Sequence, residues 1–288
     1  MRIEGKRQSS NVEDRRGLGG GGRRRGGRAT IGIGGLVIIL GVIAYGAATG
    51  TDVSGILDVL AGGDGGGSSA PPSAGEDEAA HFVSVILADT EDTWGPIFAQ
   101  RGQRYEPPHL VLFRDSVSSA CGLQSAAVGP FYCPGDHNAY VDLSFFDELA
   151  RRYGAPGDFA QAYVLAHEIG HHVQNLTGVM SRVAQMERGQ SEEGRNAISV
   201  RQELQADCYA GVWAYYAHHE RQMLEPGDLN EGLTAAAAIG DDTLQRRANG
   251  RVMPESFTHG TSEQRVSWFR RGFESGQMDR CDTFSGAL

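Results

Sequence analysis

Apolar positions recur at helical spacing over five stretches of the chain and gather into strand-like runs in two others. The first helical stretch runs from Val83 to about Gln103, followed by HLVLFRDSV (residues 109–117), which reads as a strand. GPFYCPGDHNAYVDLSFF (residues 129–146) predicts a turn at Pro134-Gly135 and then a second strand. Asp158, after Gly157, is placed to cap a helix over FAQAYVLAHEIGHHVQNL, in which Phe159, Ala162, Tyr163, Ala166 and Ile169 share one face. Further helices are predicted from about Ala197 to His218, Leu233 to Ala248 and Ser262 to Glu274. Strands that precede helices, with helices dominant, give an α+β domain that is mainly helical around a small sheet.

A different pattern precedes this body. Residues 30–50 are uncharged and mostly apolar, and about 20 such residues span the hydrocarbon core of a bilayer as one helix. Residues 1–28 hold nine Arg and Lys against three acids, leaving 17 basic and 33 acidic residues for the rest of the chain. A basic flank is retained in the cytoplasm by the positive-inside rule, which puts everything after Gly50 outside. A cleaved signal peptide is the rival reading, with small residues Ala44, Gly46 and Ala47 after the apolar run. Residues 51–80 are rich in Gly, Ser, Pro and acids and read as a flexible tether. The expected organisation is therefore a basic cytoplasmic segment (1–29), one transmembrane helix (30–50), a linker (51–80) and a folded domain (81–288). The acidic body argues against nucleic acid as a partner. Four cysteines, Cys121, Cys133, Cys208 and Cys281, would lie in an oxidising compartment, where an even number suggests two disulfides with three connectivities. Pairing Cys121 with Cys133 would close a short loop, and Cys208 with Cys281 would pin the C-terminal tail to a helix.

The chemistry lies in His167-Glu168-Ile169-Gly170-His171. Histidines at i and i+4 face one side of a helix one turn apart, so both imidazoles reach one ion. Zinc is commonly four-coordinate, leaving room for one more side chain and a water that Glu168 can deprotonate. This pentapeptide alone is only suggestive. Glu203 and Asp207, again i and i+4, supply the missing parts in a helix whose neighbours Leu204, Ala206, Ala210, Val212 and Trp213 are apolar or small. A carboxylate pair in a largely buried helix needs a cation. Glu203 is the candidate third ligand, and Asp207 the candidate partner for the distal nitrogen of a ligand histidine.

HEIGHHVQ, followed 32 residues after His171 by ELQAD, is similar to the gluzincin pattern H-E-x-x-H…E-x-x-A-D. With the flanking GPFYCP, YVDLSFF and FTHGTSEQR, residues 80–285 resemble the neutral zinc metallopeptidase family of bacteria, whose members commonly carry an N-terminal membrane segment. The resemblance implies a zincin-like domain with Zn²⁺ held by His167, His171 and Glu203 and with Glu168 as base. It also favours the two disulfides. His259 resembles a histidine that follows the third ligand in the related CAAX-protease and heat-shock protease group, and could donate to the oxyanion of the tetrahedral intermediate. Its bland alternative is a surface turn capped by Thr261 or Ser262, with Arg265 bracing it against a carboxylate. The strand near Asn138–Asp142 is the candidate substrate-binding edge. His172 points about 100° away from His171 around the helix and is not expected to be a ligand.

These features predict a membrane-anchored zinc peptidase acting on extracytoplasmic protein or peptide substrates. Two alternatives differ in their tests. A deformylase-like amidase would take its third ligand from Cys121 or Cys133. A non-catalytic, zinc-stabilised assembly or chaperone factor would need four protein ligands and would leave Glu168 idle.

Overall fold

A computed structural model describes residues 1–17, 71–286 and 288. The first long helix, α1 (Ala74–Gln100), begins inside the stretch read as a tether. Ser73 and Glu76 form a reciprocal capping box, and Glu76 and Asp77 occupy the first turn, where the helix dipole favours negative charge. Arg114 pairs with Glu76 at 2.6 Å and Arg16 with Asp77 at 3.0 Å, which ties the start of the helix to the body.

The main sheet has the order β1-β2-β6-β5, made of β1 (Val12–Asp14), β2 (His109–Phe113), β5 (Phe131–Cys133) and β6 (Asn138–Asp142). β1 and β6 run parallel to β2, and β5 runs antiparallel to β6. A separate hairpin joins β3 (Ser116–Ser119) and β4 (Gly122–Ser125). The single strand expected over residues 109–117 is split because Asp115 turns into the left-handed region (φ 62°), its N–H held by Asp142 at 2.9 Å. The candidate edge strand Asn138–Asp142 is corrected. β6 is flanked by β2 along its length and by β5 over Asn138–Tyr140, so among the described residues the outer edge of the sheet next to the helices belongs to β5.

Residues 1–17 lie on the body and are not a separate segment. Ser9 N–H donates to the Ser84 carbonyl at 3.0 Å, Leu110 N–H to Asn11 at 2.8 Å and Arg15 N–H to Leu112 at 2.8 Å. Arg16 is buried against Asp14 and Asp77, and Arg7 meets Glu91 and Asp92, each at 2.8 Å. These cations neutralise acids of the domain. The pairing of β1 with β2 puts residues 12–14 into the sheet of the domain. Among the described residues no helix is long and apolar enough to cross a membrane. The predicted span, residues 30–50, and linker residues 51–70 lie outside the described residues.

The remaining helices are α2 (Ser144–Arg151), α3 (Asp158–Leu176), α4 (Val179–Met186), α5 (Glu192–His219), α6 (Asp228–Ala238), α7 (Asp241–Asn249) and α8 (Ser262–Ser275). Every residue of α3 from Phe159 to Gln174 except Gln161 is buried, as expected of a helix enclosed on all sides. Asp158 is its first residue and not its cap. The Phe159 N–H is satisfied by Glu231 at 3.2 Å, while the Asp158 carboxylate pairs with the Met1 ammonium. The helix expected over Leu233–Ala248 is two helices, broken at Gly240, where an added Cβ would lie 2.4 Å from the Ser262 nitrogen.

Close approach of α3, α5 and α8 sets the frame of the site. A Cβ on Gly170 would meet the Ala206 carbonyl oxygen at 2.9 Å, so the α3–α5 spacing depends on this glycine. Phe159 stacks on Trp213 with centroids 5.8 Å apart, deep in the core, each ring worth about 1.5–3 kcal/mol in burial. Both disulfides form. Cys121–Cys133 ties the β3–β4 hairpin to β5, and Cys208–Cys281 ties the C-terminal turn to α5.

Candidate metal centre

His167 and His171 project from α3 toward Glu203 on α5, and one ligand atom of each lies within 4.8 Å of the others. Nε2 of His167 is 3.1 Å from one Glu203 oxygen, and Nε2 of His171 is 3.4 Å from the other. Donor atoms around a four-coordinate ion held at about 2.0–2.1 Å stand about 3.3–3.4 Å from one another, so the triplet fits a zinc ion. The far side of each ring is also occupied. Nδ1 of His167 is 2.8 Å from Asp207 and Nδ1 of His171 is 2.9 Å from Gln174. Hydrogen on both Nδ1 atoms leaves both Nε2 lone pairs facing Glu203.

The charges of this centre are balanced by neighbours. Burial alone would raise the Asp207 carboxyl, but Arg265 and His167 outweigh it and hold it at about 2. Burial alone would lower the His167 imidazolium, but Asp207 and Glu203 push it up to about 10 in the metal-free protein. Glu203 is held well below the usual carboxylate range, the two imidazoles overcoming its desolvation. Arg265, from α8, donates to Asp207 through Nε at 2.9 Å and Nη2 at 3.0 Å, and to the Tyr163 hydroxyl at 3.2 Å. Arg265 thus braces the support of His167 and not the loop in front of α8.

The triplet opens into a cleft of about 800 Å³, lined also by Glu168, His259, Phe131, Tyr132, Val128 and Leu244. Burial raises the Glu168 carboxyl, only partly offset by the two histidines. His259 lies across the cleft with its side chain half exposed. Its Nδ1 is 3.3 Å from Asp241, whose other oxygen accepts from the backbone N–H groups of Thr258, His259 and Gly260 at 2.7, 2.6 and 3.1 Å. The hydrogen bond to Asp241 raises the His259 pKa, helped by Glu203 and opposed by burial. Thr261 also caps α8 in a box with Gln264, so the turn and the cleft histidine coexist.

His172 is no ligand but has a structural task. It donates through Nε2 to the Glu106 carbonyl at 2.7 Å, and its Nδ1 meets the Tyr132 hydroxyl at 3.0 Å, which also accepts from Asn175 at 2.9 Å. This group clamps edge strand β5 against α3. Cys121 and Cys133 are joined to each other, so neither offers the thiolate that a deformylase-like site requires. Four contributors were not singled out from sequence. Tyr163 stands four residues before His167 and Gln174 three after His171, spacings that share a helix face. Asp241 is 18 residues from His259 and gives no local signal. Tyr132 lies within the GPFYCP segment but reads as an ordinary strand residue.

A buried His-His-Glu triplet beside a cleft, with a carboxylate next to the first histidine, defines a centre of the zinc metallopeptidase class. The profile of the family described as "Putative neutral zinc metallopeptidase" matches residues 1–284, and the chain belongs to that family. The family implies zinc as cofactor. Among relatives, the chain is 48% identical over 290 residues to "Uncharacterized protein YpfJ" of Escherichia coli (strain K12), covering all of both chains. It is 45% identical over 220 residues to "Uncharacterized protein Rv2575" of Mycobacterium tuberculosis (strain H37Rv), covering 73% of each. No solved structure matches the chain.

Proposed function

We propose that this protein is a zinc-dependent peptidase that hydrolyses peptide bonds of extracytoplasmic proteins, with Glu168 as general base and His167, His171 and Glu203 as metal ligands. The observation that carries this reading is the buried Glu168 carboxylate lining the same cleft as the ligand triplet. Zinc, when bound, supplies Lewis acidity that acidifies water and polarises a carbonyl. Glu168 accepts the proton of the attacking water and passes it to the departing amine. His259, oriented through Nδ1 by Asp241, donates to the oxyanion as it develops. An extended substrate pairs with the free edge of β5, which Tyr132 holds beside α3. Placement outside the cytoplasm rests on the two disulfides, which persist in oxidising compartments. Apolar residues 30–50 attach the protein to the membrane.

The test is proteolysis of a generic unfolded protein by the purified full chain, before and after removal of metal with a chelator and re-addition of zinc. Hydrolysis that disappears with the metal and returns with zinc supports the reading. No hydrolysis by a zinc-loaded protein overturns it.

A further inference from the structure

His171 has a support unlike that of His167. Its Nδ1 faces Oε1 of Gln174 at 2.9 Å, and the Gln174 amide cannot be turned round. Gln174 Nε2 donates to the backbone carbonyl of Gln202 at 2.7 Å and to Oε1 of Gln205 at 3.1 Å, and a carbonyl only accepts. The Gln205 amide is fixed for the same reason, since its Nε2 donates to the carbonyl of Cys281 at 2.8 Å. Cys281 in turn is joined to Cys208, three residues further along α5 from Gln205.

The direction of donation along this line is thus set at its ends by two backbone carbonyls. With the Gln174 nitrogen committed to Gln202, its oxygen must face the ring, so Nδ1 of His171 carries the hydrogen. Nε2 then keeps its lone pair toward Glu203. Gln174 is 0% exposed, Gln205 4% and Cys281 0%, so no solvent competes for these groups. Burying two amides between α3 and α5 where leucine would pack costs free energy unless their hydrogen bonds are made, and here the relay makes them.

We propose that Gln174 and Gln205 are positioning residues, a relay through which the Cys208–Cys281 disulfide fixes the tautomer and orientation of His171 for metal binding. The proposal rests on the reading of His171 as a zinc ligand and not on the peptidase reaction. Partners of this kind around a ligand histidine are worth about 10–100-fold in metal affinity.

The experiment measures zinc affinity of the full chain by chelator competition, with the d–d spectrum of the cobalt-substituted protein as second readout. The variants are Gln174→Leu, Gln205→Leu and the double Cys208→Ala/Cys281→Ala, with Cys121→Ala/Cys133→Ala as control for loss of a disulfide elsewhere. Gln174→Leu is expected to weaken zinc binding by about 10–100-fold. Gln205→Leu and the Cys208/Cys281 variant are expected to weaken it by a smaller factor and shift the cobalt bands, while the control does neither. Thermal melting identifies any variant unfolded at the assay temperature, and if the Cys208/Cys281 variant is one, Gln205→Leu decides. Wild-type zinc affinity and cobalt bands in a folded Gln205→Leu protein would overturn the relay, as would an equal loss in the control. A protein that binds zinc in the expected order but cleaves nothing would retain the relay and reject the peptidase reading.

Discussion

Asp207 and Arg265 form a buried ion pair, and the same carboxylate that accepts both guanidinium bonds also accepts from His167 at 2.8 Å. The support of His167, a proposed metal ligand, is therefore a charge network shared by α3, α5 and α8. Arg265→Met would leave Asp207 buried with one cationic partner fewer. Loss of one member of a buried pair costs about 3–5 kcal/mol. Urea unfolding of the metal-free variant checks this, and a change below 1 kcal/mol, roughly the worth of a surface pair, would contradict it.

The same network sets the pH range of the metal-free protein. Asp207 is held at about 2 against an ordinary 3.8, so its contribution is present above pH 3.8 and is lost as pH falls through 2. The shift corresponds to about 2 kcal/mol. His167 is raised from 6.5 to about 10, so its contribution is complete below pH 6.5 and is lost as pH rises through 10. Maximal stability without metal is expected between about pH 4 and 6.5. Zinc must displace the His167 proton, so its affinity rises with pH over the same range that weakens the metal-free fold. Melting curves with and without zinc, from acid to alkaline pH, test both signs.

His259→Asn is expected to lower kcat about 10²–10³-fold with little change in KM and with zinc content intact, since it acts on the oxyanion and not on the metal. Steady-state kinetics on a fluorogenic peptide, with metal analysis of the same sample, separates this outcome from loss of zinc.

The pairing of β1 with β2 places Val12 opposite Leu110. A Val12→Cys/Leu110→Cys protein is expected to form a disulfide cross-link in intact cells under mild oxidation. The absence of a cross-link in cells, with efficient formation in the purified protein, would mean that the two strands are separated in vivo.

The clustering of His167, His171 and Glu203 was legible because its spacing is local. His167 and His171 lie one turn apart, and Glu203 and Asp207 repeat that spacing on a second helix of small and apolar neighbours. The sheet was legible in its strands but not in its order. β6 is the strand nearer in sequence to α3 and so attracts the substrate role, yet it is β5, three residues long, that takes the edge. The partners of the N-terminal cations were not legible, because a run of arginines next to an apolar stretch has an established topological meaning of its own. Five of these residues (Arg2, Lys6, Arg7, Arg15 and Arg16) instead find partners on the body or within the segment, a match invisible without the fold. Asp241 illustrates the other limit, since its tie to His259 depends on the break at Gly240 between α6 and α7.

Glu168 is proposed to perform proton transfer in a zinc site that it does not help to build. The direct measurement compares the wild-type full chain with Glu168→Gln for zinc content and for hydrolysis of an unfolded protein substrate. One zinc per chain is expected in both, with a loss of hydrolysis of about 10²–10⁴-fold in the variant. Equal hydrolysis by the two zinc-loaded proteins would contradict it.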